Sequence, residues 1–141
     1  MQAADLAGRK LSMAGGEALK ALLIDMRKTT TRLDGDLSGL AARLQAGIDA
    51  VEAGRAWLGA RKGTADASAG ATVFLTLCGD VIGGWMHARS ALHARTAAGD
   101  PAWLQSKAQV ARFYGDQVLS AAPAKLAAVT AGSADLEAWA A

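Results

Sequence analysis

The chain has 141 residues, of which 52% are hydrophobic and only 5% aromatic, and it contains two prolines. That is enough for one domain with a core, and the alanine-rich mixture favours helices packed through small side chains. Lys and Arg number 15 against 13 acids and are dispersed, which excludes a nucleic-acid stripe, while the single Cys78 excludes an intrachain disulfide and points to a reducing, cytoplasmic setting.

No stretch alternates at period two long enough for a strand, and helical periodicity recurs throughout. The opening carries Asp5, Arg9 and Lys10 and no apolar core of signal-peptide length. A short first helix is expected over residues 2–11, amphipathic through Leu6 and Leu11, ending at the breakers Gly15 and Gly16. A second, over 17–32, spreads Leu19, Leu22, Leu23, Ile24 and Met26 over more than one face. Such a helix is expected to leave an exposed apolar patch that a second copy covers.

Asp34 or Asp36 is the expected cap of a long third helix, where Leu37, Leu40, Leu44, Ile48, Val51 and Leu58 recur at spacings of three, four and seven. Thr64 or Asp66 is expected to cap a fourth, over 67–97. In "AGDPAW", Gly99 suits the helix exit, Asp100 the N-cap and Pro101 the first helical position of a fifth helix. That helix is expected to present Trp103, Val110, Tyr114 and Val118 on one face, and Pro123 to kink or end it near Ser120. Further helical pieces carry Leu126, Val129 and Trp139. The expected architecture is all-α: an antiparallel bundle of three to four long helices plus a short N-terminal helix.

The fourth helix contains "FLTLCGDVIGGWMHARSAL", the most apolar run of the chain, with one acid and three glycines. Its length would suffice for a membrane span. Six large apolar residues gain roughly 2 to 3.5 kcal/mol on insertion, however, and Asp80 near the centre gives back about the same. A buried bundle helix, with no membrane partner, is the expected outcome. Gly79 and Gly83 share a face where a neighbouring helix is expected to approach closely, and Gly84 is a packing feature too. Trp85 is expected to fill the wider part of that interface and Arg89 to stack on its indole. Asp80 has no cation one turn away on its own helix, so Arg112, Lys107 or Arg43 is expected to complete an ion pair.

Catalytic patterns are lacking. His87 and His93 are six apart and share no helical face, Cys78 sits in an apolar run, and neither GxGxxG nor a P-loop occurs. No catalytic, cofactor or metal residue is assigned.

"FLTLCGDVIGGWMHARSAL", followed by "KAQVARFYGDQVL", resembles the paired signature of the extra C-terminal domain on a long subgroup of flavin-dependent acyl-CoA dehydrogenases, which includes the 3-(methylthio)propanoyl-CoA dehydrogenases. The matching positions include Leu75, Leu77, Gly79, Gly83, Gly84, Trp85, Ala88 and Arg89, then Lys107, Ala111, Arg112, Phe113, Tyr114, Val118 and Leu119. "QAADLAGRKL" is similar to the last helix of the catalytic core, and "MAGGEALKALL" to the segment that leads out of it. Asp80 departs from the apolar residue expected there.

The resemblance implies a division at residues 1–32, the terminal core helix and a connecting helix, and 33–141, the accessory bundle. It implies that the complete parent enzyme uses FAD and a glutamate base for α,β-dehydrogenation of acyl-CoA in fatty acid metabolism, then reduces an electron-transfer flavoprotein. None of the family's catalytic or flavin-contacting residues maps onto a position present here. The chain alone is therefore expected to be inactive and free of cofactor, with a structural role toward the catalytic domains or in a dimer. The alternative is an independent, self-associating helical module.

Overall fold

The computed structural model describes residues 2–9 and 16–140, and every regular element among them is helical. The elements are α1 (Gln2–Gly8), α2 (Glu17–Thr30), a single 3-10 turn (Gly35–Leu37), α3 (Ser38–Ala60), α4 (Ala65–Ala94), α5 (Pro101–Tyr114), a π-helical turn (Gly115–Leu119), α6 (Lys125–Val129) and α7 (Ala134–Ala140). Leu11 and Gly15 lie outside the described residues.

Local chemistry sets several of these boundaries. Gly16 takes a left-handed φ of 80° immediately before α2. The Thr64 hydroxyl accepts from the Ala67 N–H at 3.3 Å and caps α4, and Asp100 accepts from Ala102 N–H at 2.9 Å with Pro101 following it. Neither Asp34 nor Asp36 caps α3. Their carboxylates are drawn instead to Arg95 and Arg112, which tie the start of α3 to the ends of α4 and α5. Asp66 likewise turns away from the cap position and accepts from both the N–H and the hydroxyl of Ser133, at 2.8 Å each, anchoring the entry to α7. Those two donors hold the Asp66 carboxyl below its usual value.

α4 is the central helix, packed against α1, α2, α3, α5 and α6. By length and composition it could cross a membrane. In this fold its apolar length is used to reach its neighbours, with Phe74, Leu77 and Val81 fully enclosed.

The α3 stripe lies in the core throughout, Leu37, Leu44, Ile48 and Leu58 being inaccessible. Gly47 and Gly54 occupy the same seam, and a Cβ at either would fall within 3 Å of Val81 or Phe74 respectively. These pairings run in opposite senses along the two helices, so α3 and α4 are antiparallel. Arg27 bridges from α2 to Asp49 and Glu52 on α3 at 2.7 and 2.6 Å.

Two expectations about apolar faces are overturned. α2 does not leave a broad patch exposed: it lies against both α3 and α4, so Leu23 and Met26 are buried, Leu19 and Leu22 are half-buried, and only Ile24 among these is exposed. α5 does not present Trp103, Val110, Tyr114 and Val118 as one surface: Trp103 and Val110 are exposed, whereas Tyr114 and Val118 are half-buried. Its inner face is the half-buried Leu104 and Ala108 and the buried Ala111, at helical spacings of four and three, while Gly115 just beyond its end packs on Leu40 of α3. Small side chains allow close approach to α4, whose Ala88 and Ala91 are buried in the same core. Trp103 is left outside, with the Lys107 ammonium 3.9 Å from its ring centroid. The five-residue π turn ends the helix at Leu119, before Ser120, and brings Leu119 under α4.

Candidate functional site

The residues singled out from sequence gather along the C-terminal half of α4, where it meets α2, α5 and α6. Gly83 sits against the Tyr114 hydroxyl and Gly84 against the Leu119 methyls, so a Cβ at either position would collide with its neighbour. Gly79 does not join that seam. It is exposed, and a Cβ there would meet nothing within 4 Å. Sharing a helical face with Gly83 is not sufficient, because the element packed on Gly83 does not extend over the preceding turn.

Tyr114 links several of these groups. Its hydroxyl donates to the Asp80 carbonyl at 3.2 Å, and its ring lies 4.7 Å from the His87 imidazole at a tilt of 41°. Burial, and secondarily the Asp80 charge, push the phenol above its usual value.

The ion-pair partner of Asp80 is Lys125 of α6, at 2.7 Å, rather than any cation named from sequence. Arg112 is committed to Asp36, Arg43 to Asp116 at 2.9 Å, and Lys107 to Trp103. Asp80 Oδ2 is buried and lacks an aligned hydrogen bond, so the ammonium neutralises its charge from off the hydrogen-bonding direction. The pair pins a five-residue helix to the centre of the bundle.

Trp85 is half-buried and reaches α2, donating its indole N–H to the Thr29 hydroxyl at 2.8 Å; that hydroxyl in turn donates to the Asp25 carbonyl at 3.1 Å. Arg89 lies over the indole, 4.8 Å from the ring centroid. Beyond it opens a hollow of about 460 Å³ lined by Arg32, Met86, Arg89, Ser90, Leu92, His93 and Thr96.

Nucleophilic or metal chemistry finds little support in this arrangement. Burial pushes the Cys78 thiol up to about 12, which keeps it protonated and unreactive at neutral pH. Among the described residues, no group of three or more His, Cys, Asp or Glu is placed to hold a metal ion. What the geometry does provide is a tightly fitted α4–α5–α6 junction and, beside it, a cationic hollow.

The sequence profile of a family described as Acetyl-CoA dehydrogenase C-terminal like matches residues 22–139. The chain belongs to the Acetyl-CoA dehydrogenase C-terminal like family. This is the C-terminal domain of acyl-CoA dehydrogenase-like proteins, and the match begins within α2 and takes in every residue of the junction just described. None of the curated proteins matches the chain. The contacts that Lys125 and Thr29 make across the bundle, and the place of Arg32 beside Arg89, carried no signal in sequence. Lys125 is 45 residues from Asp80 and Thr29 is 56 from Trp85, distances that helical spacing cannot bridge.

Proposed function

We propose that the chain is the non-catalytic C-terminal portion of an FAD-dependent acyl-CoA dehydrogenase-like protein of the 3-(methylthio)propanoyl-CoA dehydrogenase subgroup. Its role is to brace the catalytic domains and contribute to a dimer contact, in a cytoplasmic protein whose complete form passes electrons to an electron-transfer flavoprotein. Family membership supports the placement at the C-terminal side of such a protein. Buried Cys78 and the Lys125-bound Asp80 support a structural rather than a catalytic use of the most apolar helix.

The observation that carries the bracing role is the outer face of α5. Trp103, Val110 and Phe113 fall on one side of that helix and are 58%, 46% and 67% exposed. The opposite face is fixed to α4 through small residues, so the stripe is held on a rigid support. A row of large apolar side chains on such a support marks a protein-contact surface.

Sedimentation of the purified chain over a wide concentration range tests this reading. Reversible dimerisation is expected, together with a shift to monomer in the Val110→Ser, Phe113→Asp double variant, whose changed positions are both exposed. A chain that stays monomeric at every concentration would overturn the dimer contact.

A further inference from the structure

Two guanidinium groups lie without carboxylate partners where α2 meets α4, and we propose that they form a binding site for the phosphate group of a small-molecule ligand. The proposal is independent of the bracing role. Arg32 and Arg89 both line the hollow of about 460 Å³, and both also line an adjoining one of about 300 Å³. Among the described residues neither forms an ion pair, whereas Arg27, Arg43, Arg95 and Arg112 each reach a carboxylate. Two like charges on one hollow repel each other, and an anion between them converts that repulsion into attraction.

One of the two cations is already oriented. The indole beneath Arg89 is fixed by its hydrogen bond to Thr29, and Thr29 lies three residues before Arg32. The same contacts therefore join the two elements that supply the cations. Stacking occupies the face of a guanidinium and leaves its N–H edge free to donate, the arrangement that suits the oxygens of a phosphate.

The larger hollow is the better seat for the anion. It adds the Ser90 hydroxyl and the His93 imidazole as polar partners and has no carboxylate in its lining. The smaller one contains Asp25, whose carboxylate is paired with Lys28 at 3.0 Å. A volume of about 460 Å³ exceeds the need of a phosphate alone, and Met86 and Leu92 offer an apolar wall to an organic body.

The test is an NMR titration of the purified full chain with inorganic pyrophosphate at constant ionic strength, following the arginine Nε–H and tryptophan indole N–H signals. Saturable shifts are expected at Arg32, Arg89 and Trp85. Arg32→Gln and Arg89→Gln should each weaken binding roughly tenfold, the scale of one lost charge-assisted hydrogen bond. Arg61→Gln, a charge loss near Trp57 and outside both hollows, should leave affinity unchanged. Shifts that grow linearly without saturating, or an equal loss in Arg61→Gln, would overturn the proposal by showing general charge attraction instead of a site.

Discussion

Phe74→Ala should lower the unfolding free energy by about 3–5 kcal/mol, the usual cost of deleting a fully buried aromatic ring. For a chain of this length, that corresponds to a fall in Tm on the order of 10 °C. The ring is inaccessible to solvent and lies in the α3–α4 seam, where a Cβ on Gly54 would be 2.9 Å from its Cδ2 atom. Glycine at position 54 thus makes room for the ring opposite. The coupling can be measured in a double-mutant cycle. Gly54→Ala should destabilise the natural sequence, because its methyl group meets the ring. In the Phe74→Ala background it should stabilise, since the space is empty and alanine gains about 1 kcal/mol of helix propensity. Chemical denaturation of the four proteins gives the comparison, and simple additivity would refute this packing.

Gly70→Ala has the second largest expected effect, because the new methyl group would point at the backbone carbonyl of Val129. A side chain can rotate away from an added methyl, but a carbonyl at the end of α6 moves only if the helix moves. Overpacking should cost about 1–3 kcal/mol beyond the propensity gain of about 1 kcal/mol. Gly83→Leu should fall in the same direction through Tyr114. Gly79→Ala should do the opposite and stabilise by about 0.4–1 kcal/mol, since its face is open. Thermal melts of the three variants would decide this. A rise in Tm for Gly70→Ala would mean that α6 does not close on α4.

These opposite signs within one helix show which features were legible in the sequence. The α3 stripe from Leu37 to Leu58 declared itself through spacing, and so did the Thr64 and Asp100 caps, because both are written within a few residues of chain. Gly47 and Gly54 were equally readable in principle, since they continue the same seam at an interval of seven. The glycines of α4 were not, because whether a face is open depends on where α5 stops, and no pattern around Gly79 encodes that. α5 misled for a related reason. Large apolar residues usually mark the buried face of a helix, but here the buried position of α5 is Ala111, and the tryptophan and phenylalanine remain outside. Asp34 and Asp36 have the chemistry of caps and lie where caps belong, yet arginines about 60 to 76 residues away bind them. The cationic hollow depends on the same kind of long-range meeting, Arg32 lying in the turn after one helix and Arg89 late in another.

The proposed role is that of a C-terminal family domain supporting chemistry carried out elsewhere. The Asp80 carboxylate is paired with Lys125, burial keeps the Cys78 thiol protonated, and the hollow beside Trp85 is lined by Arg32 and Arg89 together with His93. The most direct measurement is the visible absorbance spectrum of the purified chain after gel filtration with excess FAD, followed by an assay with acyl-CoA thioesters and a dye acceptor. The predicted result is a colourless protein peak and no substrate-dependent dye reduction. A stoichiometric flavin band that travels with the protein, accompanied by acyl-CoA turnover, would contradict the account.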